Sequence, residues 1–137
     1  MAVLGIPSIA VSLATFRQPR FQVAAQVASS LCRKISKLHL PPQVVLNVNV
    51  PNRPRAQLKG IRVTHQSYSR WLEAFDQRKD PRGVAYYWLK GERRQIDPDT
   101  NSDEWAVRHG YVSVTPLSID LTSYRHLETL QATSWSL

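Results

Sequence analysis

The stretch GIPSIAVSL, residues 5–13, predicts a strand buried on both faces. Ile6, Ile9, Val11 and Leu13 stand among uncharged residues, and Pro7 sits at the start, where a missing backbone donor does least harm. Strands of this composition belong inside parallel sheets, with a neighbour on each side. The next segment, FQVAAQVASSLCRKISKL (21–38), puts Phe21, Ala24, Ala25, Ala28, Leu31, Cys32, Ile35 and Leu38 at the i, i+3, i+4, i+7 spacing of one helix face. Arg33, Lys34 and Lys37 complement the negative end of the helix dipole, and the prolines of LPP (40–42) stop the helix. QVVLNVNVP (43–51) is a second buried strand, rich in valine and closed by Pro51. Strand, helix and strand make a βαβ unit with a right-handed crossover between parallel strands, so the opening of the chain commits it to an α/β architecture.

The remainder changes character. LKGIRVTHQSYSRW (58–71) alternates Ile61, Val63 and His65 with Arg62, Thr64 and Gln66, a period of two that predicts a half-exposed strand. GVAYYWLKGE (83–92) predicts another, rich in aromatics, and the two together suggest a long antiparallel ribbon. IDPDTNSDE (96–104) reads as a polar loop, EWAVRHG (104–110) as one or two helical turns, YVSVTPL (111–117) as an alternating strand, and residues 122–135 as a short closing helix. There is no internal repeat.

Composition bounds the partners. All ten Asp and Glu fall from Glu73 onward, so residues 1–72, with ten Lys and Arg, hold a formal +10 and the rest −2 of the total +8. An asymmetry of this kind fits a phosphate or nucleic-acid footprint, or simply a solvated basic face. No block of five like charges occurs, which makes nucleic acid an unlikely main partner. The lone Cys32 excludes an internal disulfide and a thiolate zinc cage and suits a reducing, cytoplasmic setting; its place on the apolar helix stripe predicts a buried small hydrophobe. No run reaches the roughly 18 apolar residues of a membrane span, and no basic segment precedes residues 1–14 as it would in a secretory leader.

Signatures of chemistry are sparse. The five glycines are scattered singly, so neither a dinucleotide fingerprint nor a phosphate-binding loop occurs, and there is no G-x-S-x-G elbow. His39, His65, His109 and His126 lack metal-ligand spacing. Asp97, Asp99, Asn101 and Asp103 alternate as in a calcium loop, but Ser102 and Arg108 stand where such loops carry glycine and glutamate, and Pro98 stiffens the run; it reads as a solvated turn. RKDPRG (78–83) could offer Arg78, Lys79 and Arg82 to a phosphate or form a simple corner set by Pro81 and Gly83. Trp71, Tyr86, Tyr87 and Trp88 could stack on bases, but on a protruding ribbon they fit an interface better. The residues by themselves offer no self-sufficient active site.

Taken in order, GIPSIAVSL, LNVNVP, KGIRVTHQ, DPRGVAYYWLKGE and GYVSVTPLSIDLT give the chain a resemblance to the C-terminal half of the SurE family, the stationary-phase survival proteins, from about residue 4 to residue 130. YYWLKGE followed by GYVSVTPL is its most specific part. The resemblance implies part of a doubly wound, Rossmann-like sheet, with a βαβ core over 5–57, an extended ribbon exchanged between subunits over 58–95, and a C-terminal strand and helix over 96–137. It also implies a metal-dependent nucleotidase hydrolysing nucleoside 5′- and 3′-monophosphates with magnesium or manganese. The family's metal ligands lie upstream of the matched region, so the expectation is a chain lacking the catalytic half. No catalytic or metal-binding role passes to any residue here, and the substrate-binding residues stay unassigned. The implied partners are a nucleoside monophosphate and further subunits, as a dimer or tetramer or with a full-length relative. The alternative is a non-catalytic oligomerisation module derived from the family. Asn101, Ser102 and Asp103 depart from the family's usual Gly-Thr-Asp turn.

Overall fold

The computed structural model describes residues 2–35, 37–38 and 40–136, with the backbone alone for Ala2, Trp71 and residues 92–95. β1 (Ser8–Ala14) and β2 (Val44–Pro51) lie parallel, Ser8 opposite Val45 through Ala14 opposite Pro51. α1 (Phe21–Ile35) joins them. The predicted βαβ unit is therefore present, with the helix described as far as Ile35 of its expected 21–38 span.

The sheet has four strands in the order β1-β2-β6-β3. β6 (Val112–Ser118) runs antiparallel to β2, Val48 facing Val114, and parallel to β3 (Ile61–Val63). The sheet is mixed rather than wholly parallel. β1 pairs only with β2 among the described residues, and Val11 is exposed. Among the described residues the expected burial on both faces is not found: β1 stands at the edge of the described sheet, with α1 packed against it. β6, expected to alternate, is buried at every residue from Val112 to Thr115 because it lies between two strands and beneath helices.

Side-chain alternation divides the sheet into two faces. On one, Leu46, Val48, Val50, Val112 and Val114 meet Ala24, Leu31 and Ile35 of α1 in a single apolar cluster. Cys32 is exposed, contrary to expectation, because this stripe is narrow and the residue after Leu31 is turned about 100° off it. The opposite face is polar: Asn49 donates to Ser113 at 3.5 Å, and Thr64 and Thr115 share a buried hydroxyl hydrogen bond of 2.8 Å. α2 (Asp103–Arg108), the expected helical turns, packs against β6 and β2 with Ala106 fully buried. It ends at Gly110 (φ +89°), where an added Cβ would lie 2.9 Å from Nη1 of Arg53.

The ribbon is β4 (Arg70–Lys79) paired antiparallel with β5 (Ala85–Gln95). Its second arm falls where expected, but its first arm is 70–79 rather than 58–71. The alternating run 58–71 splits, because β3 ends at Val63, Thr64 still bonds to Val114 of β6, and from His65 onward the chain bonds to the loop after β5. α3 (Tyr124–Gln131) closes the chain, exposed throughout, with Asp120 accepting from the N–H of Thr122 and from the Tyr124 hydroxyl at its start. Asp120 is thereby held down to about 2, the Tyr124 hydroxyl being the main cause.

Candidate functional site

In open α/β sheets, ligands bind beyond the carboxyl ends of the parallel strands. Here that end carries a cleft of about 400 Å³. Ala14 closes β1 beneath it and Asn49 comes from the end of β2. Gln66, Ser67 and Ser69 line one wall from the segment between β3 and β4, and Asp103, Glu104, Val107 and Arg108 of α2 line the other.

The walls are tied together by hydrogen bonds. The Glu104 carboxylate accepts from the hydroxyls of Ser69 and of Ser67, the latter at 3.3 Å, and its other oxygen meets Nε of Arg108 at 3.4 Å one helical turn on. The Asp103 carboxylate takes the N–H of Ser67 at 3.0 Å. Ser102 caps α2, its hydroxyl accepting the N–H of Trp105 and donating to the carbonyl of Asp99. Behind α2, the Arg62 guanidinium lies 5.2 Å from the Trp105 ring centre and 5.6 Å from that of Tyr111. His109 stacks on Trp105 at 3.8 Å.

The alternating acidic run is built as turns. Asp97 accepts the N–H groups of Tyr68 and Asp99, and Asp99 accepts the N–H of Asn101. These bonds hold both carboxyls below the ordinary aspartate value, the N–H of Tyr68 leading for Asp97 and that of Asn101 for Asp99. His65 joins them: its Nε2 lies 3.0 Å from Asp99 and its Nδ1 2.9 Å from the carbonyl of Gln66. Those contacts, the Gln66 carbonyl first, hold the ring above 6.5. Among the described residues, no group of three or more His, Cys, Asp or Glu is placed to hold a metal ion.

The structure separates the other candidates. Each described histidine keeps local partners, His109 with the Trp105 carbonyl and His126 with Ser123, while His39 lies outside the described residues. The RKDPRG run is the ribbon's tip: Asp80 accepts the N–H groups of Arg82 and Val84, and Gly83 takes φ +83°. Tyr86, Tyr87 and Trp88 are exposed on β5, and Arg78 lies 5.2 Å from the Trp88 ring centre. The Trp71 side chain lies outside what is described. Sequence reasoning missed Asn49, Ser67, Ser69 and Glu104, because hydroxyl, amide and carboxylate groups spread over residues 49–104 leave no spacing signal. As a chemical surface the cleft is a wall of hydrogen-bonding groups with two carboxylates and one guanidinium, suited to holding a polar ligand.

Relatives can be placed against this geometry. The family model described as Survival protein SurE matches residues 1–73. The chain is 43% identical over 136 residues to the 5'-nucleotidase SurE of Syntrophobacter fumaroxidans, covering 99% of this chain and 54% of that protein. It is 46% identical to the 5'-nucleotidase SurE of Synechococcus sp. (strain JA-3-3Ab), covering 97% and 51%. The crystal structure of the Sure protein from Aquifex aeolicus superposes with a TM-score of 0.75 at 36% identity, covering 95% of this chain and 52% of that one. The chain thus spans about half the length of the curated relatives it matches.

Proposed function

The chain belongs to the SurE family, and we propose that it serves as the C-terminal scaffold of a nucleotidase that hydrolyses nucleoside monophosphates. The observation that carries this reading is identity of 43–46% across nearly all of the chain to proteins named 5'-nucleotidase SurE. In this proposal the catalytic groups come from residues outside this sequence. That reading rests on the resemblance, in which the family's metal ligands lie upstream of the matched segments. The family resemblance implies magnesium or manganese, but the donor set described here does not fit such an ion, so no step is routed through one.

What this chain supplies is position. The βαβ unit and β6 fix the carboxyl end of the sheet, and the cleft presents Asn49, Gln66 and Arg108 beside it. The amides can accept and donate to a nucleoside, while the Arg108 guanidinium is engaged by Glu104. Subunit pairing through the ribbon belongs to the same proposal, supported by exposed Phe75, Tyr87, Trp88 and Leu89. A cytoplasmic site of action is supported by the single cysteine; no described helix is long and apolar enough to cross a membrane.

Phosphate release from nucleoside 5′-monophosphates, with manganese, tests the proposal. The chain alone is expected to give none. Mixing it with the part of the Syntrophobacter relative that it does not match is expected to restore release that a chelator abolishes. Chelator-sensitive turnover by the purified chain alone would overturn the placement of the catalytic groups. Failure of every complemented mixture that forms a stable complex would overturn the nucleotidase reading.

A further inference from the structure

His65 is the junction at which the acidic loop meets the root of the ribbon. Its N–H donates to the carbonyl of Asn101 at 3.2 Å, and its carbonyl accepts the N–H of Asp103 at 2.9 Å. The ring adds a third tie, and the chemistry of that tie is unusual. Nδ1 faces the Gln66 carbonyl at 2.9 Å and Nε2 faces the Asp99 carboxylate at 3.0 Å. Neither oxygen carries a proton to give: one is a carbonyl, and the other belongs to a carboxyl held below its ordinary value. An imidazole satisfies two such acceptors only when both of its nitrogens are protonated. In the neutral ring one lone pair would face an oxygen at hydrogen-bond distance, and turning the ring breaks both contacts at once.

We propose that His65 is a proton-operated latch: as imidazolium it donates to the Gln66 carbonyl and the Asp99 carboxylate together, and as neutral imidazole it keeps only one of the two, so the side-chain tie between the loop and the ribbon root weakens.

The charged groups around it favour the closed state. From the loop, Asp99 and Asp97 both stabilise the imidazolium. From the approach to β4, the Tyr68 ring lies 6.4 Å away and tilted. From β3, Arg62 faces the same loop and donates to Oδ1 of Asn101 at 3.4 Å, a cation opposing the ring's charge. From α2, the Asp103 carboxylate is engaged with the N–H groups of Ser67 and Glu104. The Gln66 carbonyl and Asp99 outweigh desolvation and hold the ring's pKa above 6.5. A raised folded-state value means that the doubly protonated ring prevails on the acid side of that value and is lost as the pH rises through it. The latch borders the cleft, since Gln66 and Ser67 line both that cavity and the hollow beside His65 and Asp99. Weakening that side-chain tie therefore loosens the rim formed by Gln66 and Ser67, while the backbone bonds of His65 to Asn101 and Asp103 stay in place. This inference is independent of which reaction the cleft serves.

The test is a pH titration of the full chain by nuclear magnetic resonance, with ring-labelled histidine and backbone amides observed together. His65 is expected to titrate above 6.5, to show both ring nitrogens protonated on the acid side, and to share its midpoint with the Asn101 amide, which donates to Asp99. Asp99→Asn lowers the His65 midpoint. His65→Lys, a cation across the whole range, removes that midpoint from the Asn101 amide. His126→Gln leaves it in place. Titration of His65 at or below 6.5, or an Asn101 amide indifferent to it, overturns the latch.

Discussion

The sheet and the ribbon use similar apolar residues to opposite ends. In the sheet, Val48 and Val50 are fully buried and Val112 nearly so. In the ribbon, Phe75 and Tyr87 are each 66% exposed and Trp88 54%. The difference lies in layers, since the sheet has α1 on one face and α2 on the other, whereas among the described residues β4 and β5 pack chiefly on each other. A lone pair of strands is marginal in water, and what holds this one is pairing along its whole length, with Asp76 bonded to Lys90 across the strands and to Arg78 beside it. The sheet's apolar groups stabilise the fold from within. The ribbon's are presented outward, to solvent in this chain.

Four measurements probe that contrast, in falling order of effect. Val48→Asp puts an unpaired charge in the centre of the sheet and is expected to cost about 4 kcal/mol or more, enough to unfold a small domain; chemical denaturation reads it. Arg62→Ala removes a guanidinium that lies over both Trp105 and Tyr111, at the join between sheet and α2, and is expected to cost about 1 kcal/mol by the same assay. Phe75→Ser with Leu89→Ser, facing each other across the ribbon, is expected to change the unfolding free energy of the monomer by no more than about 0.5 kcal/mol while lowering association in sedimentation. A large stability loss in the monomer would show that the ribbon is packed on its own chain. The smallest effect belongs to α3. The carboxyl of Asp120 sits at about 2 against its ordinary 3.8, so its contribution is complete above 3.8 and is lost as the pH falls toward 2. The Tyr124 ring signals should shift over that interval while the amides of Val48 and Val50 stay fixed.

What could be read in advance follows the same division. α1 and β2 were legible because burial against a layer imposes a period, and Leu46, Val48 and Val50 kept it, whereas β1 was legible as a strand but not in its burial. The ribbon's first arm was misplaced because no burial imposes a period there. RWLEAFDQRK reads as polar, while the apolar alternation at Ile61 and Val63 belongs to a three-residue strand. Cys32 misled because the helix face counted from the sequence is wider than the face that packs. The family was legible from its ordered segments. The cleft was not, because Asn49, Ser67 and Glu104 meet only through the crossing of β2, the ribbon root and α2.

The isolated bridge between His65 and Ser102 has a consequence for how the ribbon can vary. It joins the two chain ends from which residues 66–101 depart and return, so the ribbon is an excursion already closed at its neck. The entropy of closing a loop grows only with the logarithm of its length, about 0.6 kcal/mol per doubling. Adding or removing paired residues near the tip at Gly83 therefore alters how far the ribbon reaches while leaving the sheet and the cleft almost indifferent. Reach, in this architecture, is a quantity that can drift or be redesigned separately from the body that carries it.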